Sequence, residues 1–180
     1  MIELINSNSK LNLKVDSSSA HEYKYCINEL VHNENIYSLD GFAHHRNVSR
    51  LEHSLHVSYL SYLACKKLGF DYRSAARGGL LHDFYFYDSR VTRPKGGRHC
   101  FIHPTIALEN ANSLFNLNDL EKDIIVKHMW PVTVKMPKYK ESFIVTFYDK
   151  YCASMEFARY GSKLNVIEQS HIRLANLLNR

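Results

Sequence analysis

The sequence has no CxxC pair, no GxGxxG, no GxxxxGKS/T, no HExxH and no GxSxG. Structural zinc knuckles, thioredoxin-like redox sites, dinucleotide oxidoreductases, P-loop NTPases, zincins and the common serine hydrolases are therefore disfavoured. Cysteine is sparse, at 26, 65, 100 and 152 only. Such dispersed residues do not make a disulfide framework, so reduced thiols in a cytoplasmic compartment are expected. No run of about 18 apolar residues occurs, which argues against a membrane-spanning helix. The opening MIELINSNSK lacks the basic start and apolar stretch of a signal peptide. There is no internal repeat and no low-complexity block. Neither charge dominates: 23 basic residues against 18 acidic leave +5. That surplus suits an anionic ligand but is too small to require nucleic acid.

What the sequence does have is a globular composition and a surplus of histidine. With 45% hydrophobic residues in 180, the chain can bury a core in one domain. Residues 1–17 are polar and read as an N-terminal arm. Residues 18–180 read as an all-α, single-domain bundle of seven helices. The first is expected from Ser17–Ser19 to about Asn33, and the second from Ser49 to Leu68, stopped by Gly69. The second carries His53, Val57, Leu60 and Ala64 on one face. A third is expected from Tyr72 to about Tyr87. Its Gly78 and Gly79 cost helix propensity and imply close approach of another helix or a ligand. Pro104 suits the first turn of a helix ending near Phe115. Asn118 and Glu121 resemble a capping box that opens a helix to about Met129, ended by Pro131. Helices over Lys140–Tyr160 and Lys163–Leu178 complete the set.

Histidine is abundant, at 11 residues, and four of these sit where histidine is costly. His53 lies on an apolar face, and His82-Asp83 follows Leu80-Leu81. His103 precedes Pro104, His128 shares a face with Ile124 and Ile125, and Asp149 lies between Val145 and Ala153. Buried imidazoles and carboxylates need partners or a metal. Four imidazoles with two carboxylates can hold one or two divalent ions, and suit iron, manganese, zinc or nickel better than calcium.

The strings RLEHSLHVS at 50–58, LLHDF at 80–84 and FYDK around Asp149 resemble the HD-domain superfamily. The likeness spans roughly residues 42–156, with 29 residues from His53 to His82. It implies a helical fold and metal ligands at His53, His82, Asp83 and Asp149. His56, on the same helix, competes with His53 for the first place. Dinuclear branches add two histidines before the last aspartate, and His103 and His128 stand there. Asp83 would then bridge the ions, His53 and His82 serving one and His103 and His128 the other. The implied activity is phosphohydrolysis of a small phosphorylated molecule, such as a nucleotide, by metal-activated water, with Asp83 and Lys150 in catalytic roles.

The sequence departs from the cyclic-dinucleotide hydrolase pattern His-Asp-x-Gly-Lys, reading HDFYF. A general acid must then be sought elsewhere, at His99, Lys95 or Asp88. Arg90, Arg93, Lys95, Arg98 and His99 form a basic loop that either closes over an anionic substrate or is simply solvated. Lys135, Lys138 and Lys140 make a second basic run with the same two readings. Glu156 is either a partner of a ligand histidine or an exposed charge. His44 and His45 are candidates for a pocket mouth. Two rival readings share the motif: a di-iron oxygenase resembling inositol oxygenase, and a non-catalytic module that binds a nucleotide or a protein. The 12 tyrosines leave room for a homodimer without fixing one.

Overall fold

Capping side chains of Asn33, Ser49, Asp71 and Asn118 set four of the helix starts. In the computed structural model, which describes residues 17–44, 48–92, 94 and 96–161, the chain is all-helical. Helix α1 runs over Ser17–Val31 and α2 over Glu34–Ser38, followed by a 3-10 turn at Leu39–Gly41. Helix α3 covers Arg50–Leu68. The Ser49 hydroxyl accepts from the Glu52 amide at its start, and Gly69, at φ 71°, ends it in the left-handed region. Helix α4 covers Tyr72–Leu81, capped by Asp71, and α5 covers His99–Leu114. Helix α6, Asp119–Lys127, opens on the expected Asn118–Glu121 capping box, and α7 covers Lys140–Gly161.

Two boundaries differ from expectation for physical reasons. Helix α4 stops at Leu81 rather than near Tyr87, because side chains take the backbone groups a helix would need. The His82 ring donates to the Gly79 carbonyl at 2.7 Å. Asn110 of α5 donates to the Phe84 carbonyl, and the buried Arg50 guanidinium donates to the Tyr85 and Tyr87 carbonyls. Helix α5 starts five residues before Pro104, so His103 and Pro104 lie inside it. The His103 ring, donating to the His99 carbonyl at 2.9 Å, helps to close the turn before the proline. The short α2 was not expected. The arm over residues 1–16 and the expected helix over Lys163–Leu178 lie outside the described residues.

Helix α4 is the hub, packing against α1, α3, α5, α6 and α7. Its glycines make this feasible. A Cβ on Gly79 would lie 2.9 Å from the Ser58 Cα of α3, and one on Gly78 would lie 2.8 Å from the Ile124 side chain of α6. The expected close approach is therefore helix against helix. Leu30, Leu39, Tyr62, Leu80 and Phe84 anchor one apolar cluster, and Val57, Ile124 and Val145 another. The four cysteines are free thiols. Among the described residues no helix is long and apolar enough to cross a membrane.

Candidate metal centre

The end of α4 delivers His82 and Asp83 to a point where five other helical or loop segments converge. The Asp83 carboxylate faces two ways. Its Oδ2 lies 3.3 Å from His44 Nε2 and 3.7 Å from His82 Nε2. Its Oδ1 lies 3.2 Å from His103 Nε2 on α5 and 3.6 Å from His128 Nε2 just after α6. On the first side, Asp149 of α7 places Oδ1 3.2 Å from His53 Nε2 and 3.7 Å from His82 Nε2. His53 and His82 are fully buried, and Asp83, His103, His128 and Asp149 nearly so. The side chains thus form two separate triads of potential ligands, His53, His82 and Asp149, and Asp83, His103 and His128, with a third group, His44, His53 and Asp83, that shares one residue with each.

Backbone carbonyls fix the tautomers. A carbonyl only accepts, so a ring nitrogen facing one must carry the proton. His82 Nδ1 faces the Gly79 carbonyl, His103 Nδ1 that of His99, and His128 Nδ1 that of Ile125 at 2.8 Å. In each neutral ring the lone pair is then on Nε2, the atom turned inward. His103 Nε2 and His128 Nε2 stand 2.8 Å apart. His82 Nε2 and Asp83 Oδ1 are buried without a hydrogen-bond partner. Lone pairs and carboxylate oxygens converging on one spot repel unless a proton or a cation lies between them. The donor set, imidazole nitrogen with carboxylate oxygen, suits a divalent transition metal, and the residues fit one.

The electrostatics agree with that preparation. Burial, together with the neighbouring His103 and His82, pushes His128 down to about 3, which keeps its ring neutral and able to ligate. Burial alone would raise the Asp83 and Asp149 carboxyls. The surrounding imidazoles outweigh it and hold both well below the usual carboxylate range. Glu156 of α7 is largely buried, with Oε1 2.9 Å from His53 Nδ1 and Oε2 3.4 Å from His44 Nδ1. Of its two readings from sequence, the partner of a site histidine is the one seen.

Other sequence-derived candidates scatter. His56 is exposed, whereas His53 is buried beside Asp149. Lys150 sits at the rim, its Nζ donating to the His128 carbonyl at 2.8 Å and lying 3.6 Å from Asp149 Oδ2. The His99 ring stacks on His103 with centroids 4.4 Å apart, and the Tyr87 hydroxyl lies 2.9 Å from its Nδ1. Arg98 is exposed at the start of α5. Asp88 pairs with Arg90. Lys135, Lys138 and Lys140 are exposed. Arg93, Lys95 and His45 lie outside the described residues.

Sequence reasoning missed two residues. His44, expected at most at a pocket mouth, stacks on His53 at 3.7 Å and reaches Asp83. Arg50 lies with its guanidinium 3.6 Å from the Tyr85 ring centroid and holds the segment after the dyad. A signal for Arg50 was available, since positions 50, 53 and 57 share one helix face.

No family model matches the chain, and no solved structure is significantly similar to it. Over 138 residues, 76% of the chain, the sequence is 32% identical to Ribonuclease Y of Protochlamydia amoebophila (strain UWE25). The matched part is 23% of that protein, so the chain spans about a quarter of the relative's length.

Proposed function

We propose that the protein is a metal-dependent phosphohydrolase of the HD-domain type, acting on a small phosphorylated substrate such as a nucleotide. The observation that carries this reading is the pair of buried triads meeting at Asp83, with the Nε2 lone pairs turned inward by backbone carbonyls. His53, His82 and Asp149 would hold one ion, His103 and His128 the other, with an Asp83 oxygen for each. Iron, manganese, zinc and nickel all suit the donors. A divalent ion held there lowers the pKa of bound water from roughly 15.7 to about 7 and polarises a phosphoryl oxygen. Lys150, partly exposed at the rim beside Asp149, would meet a phosphate charge. Arg98 and His99, with Arg93 and Lys95 in the same stretch, would bind the rest of an anionic substrate. The likeness to a protein named as a ribonuclease supports phosphoester chemistry, since that name implies cleavage of phosphodiester bonds. Free thiols suit a cytoplasmic location.

A second reading, a di-iron oxygenase, uses the same ligands and is favoured by the residues after the dyad. Tyr85, which is buried, and Phe86 stand where a hydrolase of the cyclic-dinucleotide branch has a glycine and a phosphate-assisting lysine. Assays of the manganese- and iron-loaded protein on nitrophenyl phosphates and a nucleotide panel, with oxygen consumption followed in parallel, separate the two. Replacing Asp83 with Ala is expected to abolish metal retention and hydrolysis together. Hydrolysis that survives in Asp83→Ala sinks the proposal.

A further inference from the structure

His44 is the one site histidine that no motif brings to the centre, yet it is built into it. The segment carrying it is tied to the start of α3: Ala43 bridges to Ser49, the His44 amide donates to the Val48 carbonyl, and the Arg50 amide donates to the Phe42 carbonyl. The His44 ring lies over that of His53, with centroids 3.7 Å apart and planes 20° from parallel. Glu156 orients both rings, giving one carboxylate oxygen to each Nδ1. An ionised carboxylate only accepts, so both Nδ1 atoms donate, and a metal that displaces the Nε2 proton would find the Nε2 lone pair of each ring. Carboxylate oxygen, imidazole and ion in series is how metal-binding histidines are commonly held in orientation. Here a single glutamate would do this for two adjacent rings. His44 Nε2 points at Asp83 Oδ2, 3.3 Å away, and His44, His53 and Asp83 each offer a ligand atom within 4.8 Å of the others.

We propose that His44 is a further metal ligand, binding through Nε2 on the same side of Asp83 as His53. This rests on the metal-centre reading above and extends it from six protein ligands to seven. The consequence is a more crowded first ion than the second. The ion at His103 and His128 would keep the more open coordination sphere, so substrate oxygen would be expected there first.

The test uses the whole chain loaded with Co(II), read by proton NMR. Each imidazole bound through Nε2 contributes one strongly shifted Nδ1 proton signal, present in water and lost in D2O. The wild-type protein is expected to show one such signal for each of His44, His53, His82, His103 and His128. His44→Ala and His44→Gln should each remove one signal and leave the others, with weaker Co(II) binding in chelator competition. A wild-type spectrum with signals for His53, His82, His103 and His128 alone overturns the His44 assignment and leaves the metal centre standing. So does a full count that survives in either variant. A wild-type protein that binds no Co(II) overturns the metal centre itself. Because the wild-type count decides the matter without a substitution, misfolding of a variant does not remove the test.

Discussion

His82 and Asp83 are neighbours in sequence but divide their work in space. The imidazole faces Asp149, while the carboxylate spans the gap between His44 on one side and His103 on the other. The rings are aimed by atoms outside the candidate ligand set: three backbone carbonyls and Glu156. Replacing Glu156 with Gln keeps the size but gives up one of the two accepting oxygens. Loss of such an orienting carboxylate weakens metal binding by about 10–100-fold. Chelator competition on Glu156→Gln should show a loss in that range with far-UV dichroism unchanged; affinity within about threefold of wild type would contradict the orienting role. Much of this site was legible at residue scale. Histidine on an apolar helix face is costly, and that cost singled out His53, His103 and His128 as well as the dyad. His44 was not legible, because it lies outside any helix and has no periodicity to place it. Glu156 was half legible: its spacing from Asp149 put it on the right face, but only the tertiary fold shows His53 and His44 against it.

At the scale of elements, α4 governs the site's geometry. Its Gly79 lets α3 come close enough for His53 and His82 to meet Asp149 from two helices at once. Gly79→Ala would gain about 1 kcal/mol of helix propensity. The added Cβ, however, would lie 2.9 Å from the Ser58 Cα, a backbone atom that cannot step aside. Overpacking of this kind costs about 1–3 kcal/mol, so a net destabilisation is expected. For a net loss of up to about 2 kcal/mol, thermal unfolding should show a drop of up to about 8 °C in a chain of this size. An unchanged or raised Tm would mean that the helices can part freely. Helix starts and stops written in local chemistry, such as Ser49, Gly69 and the Asn118–Glu121 box, were readable from sequence. The stop of α4 was not, because it depends on Arg50 and Asn110, which are distant in sequence. Nor was the start of α5, where a histidine side chain helps to hold the turn ahead of Pro104.

For the whole molecule, the same buried charges set a pH dependence of folding. Burial holds His99 at about 4 and, with its histidine neighbours, His128 at about 3. An unfolded chain with ordinary imidazoles near 6.5 takes up protons that these folded sites refuse, so stability falls as pH drops below about 6.5. Glu156 adds to this at lower pH. Although burial pushes it up, His44 and His53 hold it at about 2, and its contribution fades as pH falls from about 4.5 towards 2. His44 acts in the opposite sense. Burial would lower it, but Asp83 and Glu156 raise it to about 9, so its contribution is full below 6.5 and lost as pH climbs to 9. The metal-free protein should therefore be most stable near pH 6.5, declining on both sides in thermal unfolding. Metal displaces the protons of its ligands, so the loaded protein should lose the decline above pH 6.5. Identical profiles with and without metal would contradict this.

The central claim is that the buried histidines and aspartates meeting at Asp83 hold transition-metal ions. Elemental mass spectrometry of protein purified without added metal or chelator tests it most directly. The account predicts about two transition ions per chain, falling to none in Asp83→Ala. One ion per chain would contradict the assignment of separate ions to the two triads. No bound metal, even after reconstitution with iron, manganese, zinc and nickel, would contradict the claim itself.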